Sequence, residues 1–396
     1  SFHKDQPDLN WQNPVLREEI YKMINWWLDK GIAGFRIDAI INIKKDLEWR
    51  SLPSDRENGL VPVPESLVNA QSIEPFLQEL KERTFAKYNA FTVGEVFNET
   101  DEELHFFIGK DGVFSSIFDF KQTCLGQEGK GWFDHSLPTA DELKESIFQA
   151  HERADSIGVL STIIENHDEP RGVSHYIVEG PVNDTSKKAL GTIQVLRKGI
   201  PFIYQGQEIG MENQIFESVE DFDDIATING YHVAKEAGLS EEEALAVIAN
   251  YSRDNARTPM QWTREPGLGF SDGSAWLISP KPDVAINVED QEKDPNSILN
   301  YYRQLTALYR HPLYGNTIRF GDMIPAYRDR ENIIAFERRG DKRLLVVSNF
   351  QNRQATLELP APIKTVVLNN TAGLFQEGDQ VLELVPYQTV VLELVE

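Results

Sequence analysis

Hydrophobic residues near the start of the chain recur every three to four positions, at Leu16, Ile20, Met23, Ile24 and Trp27. That spacing lays one apolar stripe along a helix. Asn13 can cap it, Pro14 suits its first turn, and Gly31 closes it. Trp26 and Trp27 are expected in the core. The spacing then changes: Ala33 to Asp38 is a short apolar run, which predicts a buried strand. The same pair recurs as a helix over 72–86 and a strand over 90–95, ending at Glu95. A shorter strand follows over 115–120, then a helix over 140–155 and a strand over 159–164 that runs into Glu165, Asn166, His167 and Asp168. A helix over 185–198 precedes a strand over 200–204. Helices alternating with short apolar strands predict a parallel sheet covered on both faces.

Three segments interrupt the alternation. Residues 48–70 form a long proline-containing loop, residues 211–250 an acidic helical insertion, and Ser252 to Trp262 a polar connection. Within the insertion, Glu241, Glu242 and Glu243 mark a solvated helix start, where negative charge is favoured. From about residue 325 the pattern becomes period two, with strands over 333–337, 344–349, 356–359, 365–368, 381–385 and 389–394. The division predicted is therefore an α/β domain over 1–324 and an antiparallel all-β domain over 325–396.

Composition narrows the function. A formal charge of −24 disfavours nucleic acid and anionic membranes as partners, and no apolar run is long enough to span a bilayer. A neutral small-molecule substrate fits better. The single cysteine, Cys124, excludes an internal disulfide and a cysteine-based metal site, in keeping with a reducing, cytoplasmic location. No metal ligands are picked out, and no cofactor is expected in this chain.

Candidate chemistry gathers at strand ends, where a (β/α) barrel builds its active site. Arg36 and Asp38 share one face of their strand, so the guanidinium holds the carboxylate ionised. Glu95 and Asp168 end two later strands. Two carboxyls facing a glycosidic bond suffice to cleave it, one protonating the leaving oxygen and the other attacking. A third can stabilise the charge on the sugar, and His167 can donate to its hydroxyls.

Gly34-Phe35-Arg36-Ile37-Asp38, Gly94-Glu95-Val96 and Asn166-His167-Asp168, in this order, resemble the second, third and fourth signature regions of the α-amylase superfamily, glycoside hydrolase family 13. Gln6-Pro7-Asp8-Leu9-Asn10 and the stretch from Arg253 to Trp262 resemble hallmarks of its oligo-1,6-glucosidase group. The resemblance implies that Asp38 is the nucleophile, Glu95 the general acid/base and Asp168 the transition-state stabiliser of a retaining exo-α-glucosidase. Arg36 would orient Asp38, His167 would bind sugar hydroxyls, and Arg253 or Arg257 would reach the same subsite. Arg171 and Glu169, beside Asp168, join the candidate substrate contacts. The two catalytic carboxyls should lie roughly 5 Å apart, and Glu95 should be raised by burial and neighbouring negative charge.

Departures shape the expected specificity. Ala39 follows the nucleophile where members restricted to α-1,6 bonds tend to carry valine, so α-1,4 bonds come within range. Glu169 stands where glutamine is common. Five strands are counted against the eight of a full barrel, so the resemblance implies about strands 4 to 8 of a (β/α)8 TIM barrel followed by the family's C-terminal β domain. The N-terminal half of the same barrel, with the calcium site it usually carries, is then the expected complementing fragment. Sucrose-acting and trehalose-6-phosphate-acting relatives are alternative readings, as is a non-catalytic amylase-like binding or partner protein.

Overall fold

The computed structural model describes residues 5–48, 50–54, 59, 61, 72–97, 99–127, 129, 131–277, 282–372 and 375–395. Most of the expected loop over 48–70 lies outside them. The chain divides into two compact units, Ser1–Phe118 with Arg153–Ser161, and Asp119–Glu152 with Thr162–Glu396.

In the first unit, helix α1 (Pro14–Asp29) begins where the Asn13 side chain accepts the Val15 N–H at 3.0 Å. It leads to strand β1 (Gly34–Ile37), which is followed by α2 (Glu74–Arg83), β2 (Phe91–Gly94), α3 (Asp101–Ile108) and β3 (Ser116–Phe118). β1, β2 and β3 pair in parallel in that order, and β3 pairs in parallel with Leu160 and Ser161 of β4 (Leu160–Thr162). Gly94 must be glycine, since a Cβ there would sit 2.5 Å from the Phe114 ring.

The face of α1 that is buried differs from the stripe its spacing predicts. Tyr21, Ile24 and Leu28 are buried in one cluster with Leu77 and Leu80 of α2. Trp26 and Trp27, expected in the core, are instead 52% and 42% exposed. α1 is apolar around more than one face, and periodicity alone cannot say which face meets α2. Lys30 covers Trp26, its Nζ 4.3 Å from the ring centre.

In the second unit, helix α4 (Ala140–Ala154) contributes its residues up to Glu152. α5 (Asp184–Leu196) is capped by Asn183 and buried along nearly its whole length. After it, β5 (Ile200–Pro201) comes beside β4, the Phe202 N–H donating to the Thr162 carbonyl at 2.9 Å. The acidic insertion forms α6 (Ile225–Glu236) and α7 (Glu241–Tyr251). A capping box between Ser240 and Glu243 starts α7, with Glu241, Glu242 and Glu243 exposed in its first turn. Helix α8 (Ile298–Leu308) packs with α5.

The remaining strands are β6 (Asp322–Ala326), β7 (Ile333–Arg339), β8 (Arg343–Asn349), β9 (Ala355–Glu358), β10 (Ile363–Asn369), β11 (Val381–Leu384) and β12 (Thr389–Leu394). They form an antiparallel sheet in the order β10-β12-β8-β7-β6 and a β11-β9 pair. Alternation sorts the larger sheet: Ile333, Ala335, Leu345 and Val347 face Leu357 and Leu382 of the smaller pair, while Ile334, Phe336, Leu344 and Val346 share a core with α5 and α8. Burial on both faces explains why β7 and β8 read as almost unbroken apolar runs.

Candidate active site

The end of β1 presents Arg36 and Asp38, and the end of β2 presents Glu95. One guanidinium joins all three: its Nη1 pairs with Asp38 and its Nη2 lies 2.9 Å from Glu95 Oε2. A planar fork spanning two carboxyls fixes them side by side. Their surroundings differ sharply. The Asp38 side chain is 72% exposed and that of Glu95 7%. Burial raises Glu95 above the ordinary carboxylate range; the Ala39 N–H and Arg36 oppose this, and the neighbouring Asp38 carboxylate adds to it.

Ala39 does more than follow Asp38. It adopts a left-handed conformation, with φ 42° and ψ 35°, and its N–H donates to Glu95 Oε2 at 2.7 Å. A β-branched side chain would strain this backbone further. The backbone that turns the chain after Asp38 therefore also holds Glu95.

In the second unit, the loop after β4 carries Glu165, His167, Asp168, Glu169 and Arg171. The Asn166 side chain accepts the Asp168 N–H at 2.7 Å and shapes the turn. Asp168 Oδ1 takes both expected arginines, Arg253 Nη1 at 2.9 Å and Arg257 Nη2 at 2.8 Å. Its Oδ2 lies 3.1 Å from His167 Nε2. Arg257 also donates through Nε to the His167 carbonyl at 2.8 Å. Both arginines thus hold Asp168.

The rest of the segment from Arg253 to Trp262 builds the frame for those arginines. Asp254 Oδ2 accepts the N–H groups of Asp223 and Asp224 at 2.9 and 3.0 Å. Asn255 accepts the Gln214 N–H at 2.8 Å. Asp224, which the sequence reading missed, binds Arg253 Nε at 2.6 Å through one oxygen and caps α6 with the other, at 2.8 Å from Thr227 N. Burial works against its charge, but Arg253 and Thr227 outweigh it and hold Asp224 below the usual carboxylate range. An Asp three residues before Thr227 signals a helix cap; nothing in that spacing signals the arginine on its second oxygen.

Arg171 needs correction as a substrate contact. Its side chain is buried, with Nη1 2.9 Å from the buried carboxylate of Glu165 and 2.8 Å from the Gln205 carbonyl, and its guanidinium 5.4 Å from the Tyr204 ring centre. It ties the loop after β4 to the segment after β5, and is spent on that contact. Glu169 is half-buried beside Asp168 and Thr123, and burial, with help from the Asp168 carboxylate, pushes it up to about 8. Behind this loop His175 is buried between Tyr176 and Tyr251, with ring centres 4.7 and 6.4 Å away. Neither of its nitrogens has a hydrogen-bond partner among the described residues, and burial pulls it down to about 4.

The first unit therefore carries an exposed carboxylate beside a buried one raised by its burial, the two contrasting environments that acid-assisted displacement at an acetal uses. The second carries a carboxylate fixed by two arginines and a histidine, suited to gripping hydroxyls and offsetting positive charge. Among the described residues, no group of three or more His, Cys, Asp and Glu could hold a metal ion. Nor is any helix there long and apolar enough to cross a membrane.

Residues 1–313 match the family model described as alpha amylase, catalytic domain, and residues 333–391 match the alpha-amylase SusG C-terminal domain. A probable oligo-1,6-glucosidase 3 of Bacillus subtilis (strain 168) is 40% identical over 311 residues, which cover 78% of this chain and 55% of that protein. The chain thus spans little more than half the length of that relative. Among solved structures, isomaltulose synthase from Klebsiella sp. LX3 superposes with a TM-score of 0.89 at 30% identity, over 99% of this chain and 71% of that one. Bacillus licheniformis trehalose-6-phosphate hydrolase does so with a TM-score of 0.86 at 31% identity, over 100% and 71%.

Proposed function

From the premise that this chain belongs to the α-amylase catalytic-domain family, with a C-terminal all-β domain behind it, we propose that it is a retaining exo-α-glucosidase. It hydrolyses terminal α-1,6 bonds, and α-1,4 bonds as well, of short oligosaccharides. Glu95, protonated, gives its proton to the glycosidic oxygen as Asp38 attacks the anomeric carbon, so the leaving sugar departs as an alcohol. Glu95, now a carboxylate, takes a proton from water as that water displaces Asp38 and restores both groups. Asp168 steadies the positive charge on the sugar ring, and His167, Arg253 and Arg257 fix its hydroxyls and Asp168 itself. The observation that carries this reading is the shared Arg36, which sets an exposed carboxylate beside a buried one that burial raises above the ordinary carboxylate range.

The likenesses to a trehalose-6-phosphate hydrolase and an isomaltulose synthase favour, as a second reading, a substrate with a different leaving group. Glu169, half-buried next to Asp168, supplies no basic group to meet a phosphate there. The proposal extends to architecture: the parallel strands are about the fourth to eighth of a (β/α)8 barrel whose N-terminal part accompanies this chain. Supporting this, β1 pairs only with β2 among the described residues, while Trp26 and Trp27 stand exposed beside it in sequence.

The test is hydrolysis of isomaltose, maltose, sucrose and trehalose side by side by the full-length protein, with Asp38→Asn as control. Glucose release from isomaltose with retained configuration, lost in the variant by at least a thousandfold, supports the reading. Wild-type turnover by the Asn variant removes the nucleophile assignment.

A further inference from the structure

Trp276 is 67% exposed, yet it is held in place, its indole Nε1 donating to Asp223 Oδ2 at 3.0 Å. Asp223 is anchored in turn, its N–H bound at 2.9 Å to the buried Asp254, which also fixes Asp224. Asp224 grips Arg253, and Arg253 grips Asp168. A continuous line of hydrogen bonds thus runs from Asp168 to an indole that faces solvent. Asp223 and Asp224 are adjacent in the chain, so the indole and the Asp168 carboxylate are held on one connected frame.

An indole left in water forgoes much of the stabilisation its burial would give, and pinning its N–H reduces its freedom further. Such a fixed, exposed aromatic plane suits a ligand with an apolar face and a polar rim, since little ordering cost remains when that ligand arrives. A pyranose has this shape, with C–H groups on its face and hydroxyls around its edge. We infer that Trp276 is a stacking platform for a sugar residue on the leaving-group side of the scissile bond, and so sets a preference for longer oligosaccharides. The inference rests on the exo-glucosidase reading: where one terminal glucose is released, every further sugar lies on the leaving-group side.

The test compares kcat/KM on isomaltotriose with kcat/KM on p-nitrophenyl α-glucoside, whose leaving group has no second sugar, in the full-length protein. Trp276→Ala is expected to lower the ratio of the two about tenfold, and Trp276→Phe, which keeps an aromatic face, to restore most of it. A ratio within twofold of wild type in Trp276→Ala, with the glucoside still cleaved, overturns the platform and leaves the glucosidase reading standing. Equal losses in the Phe and Ala variants also overturn it, because packing without stacking would then suffice. A wild-type protein that cleaves neither substrate removes the glucosidase reading and the platform with it.

Discussion

His175 makes the region behind Asp168 sensitive to acid. Buried between Tyr176 and Tyr251 with no partner for either nitrogen among the described residues, its ring stays neutral in the folded protein down to about 4, against 6.5 for an ordinary histidine. Below 6.5 the unfolded chain binds a proton that the folded chain refuses, so stability falls as the pH drops from 6.5 towards 4. At about 1.4 kcal/mol for each unit, the whole shift comes to about 3 kcal/mol, of which about 2 kcal/mol is lost between about pH 7 and about pH 5. His175→Leu removes the titration and leaves an apolar side chain in an apolar site. Its cavity and packing costs are the same at both pH values, and the carboxylates titrate alike in both proteins, so these terms cancel in the comparison. Urea unfolding of wild type and variant at the two pH values reads the difference directly. The stability of wild type relative to the variant should fall by about 2 kcal/mol on going from about pH 7 to about pH 5. A relative stability that stays constant within about 0.5 kcal/mol would refute the argument, since the buried ring would then be exchanging its proton freely.

Three further outcomes follow from the same geometry. Arg171→Met leaves Glu165 as an uncompensated buried charge and should cost about 3–5 kcal/mol in urea unfolding, most of it regained in the Arg171→Met, Glu165→Leu double variant; a single variant as stable as the double would show that the ion pair carries no such penalty. Ala39→Val puts a β-branched side chain into a left-handed backbone, which should lower stability by about 1–2 kcal/mol and reduce turnover of maltose more than of isomaltose. Thermal melts and the two rates check this together. Because burial raises Glu95, the alkaline limb of the kcat/KM profile on p-nitrophenyl α-glucoside should lie above where an ordinary glutamate would put it. Glu95→Gln should abolish that limb.

The strands and helices of the α/β part were legible because each is a short apolar run or a three-to-four spacing bounded by a clear signal, as at Asn13, Pro14 and Gly31. The ion pair of Arg36 with Asp38 was legible too, since two residues on one strand face must meet. What could not be read were contacts settled by distant segments. Nothing near Arg171 says that its guanidinium meets a carboxylate six residues earlier and a carbonyl after β5. Trp26 and Trp27 carry the same apolar signal as Ile24, and only the placement of α2 separates them. Asp224 looks like a helix cap from its neighbours, and its second contact comes from an arginine on the far side of two helices. The left-handed turn at Ala39 has no marker either, because glycine or asparagine, which would announce it, is absent.

The guanidinium shared by Asp38 and Glu95 also has a bearing on timing. While both carboxyls are unesterified, one cation divides its attraction between them, and the charge on Asp38 helps Glu95 keep its proton. Once Asp38 is esterified to the sugar in the proposed reaction, that charge is gone and the undivided cation favours an ionised Glu95. The same residue would thus be driven from acid to base by the covalent step itself, with no movement of the backbone. Arg36 would act as the escapement of the cycle, releasing the second half only after the first is complete.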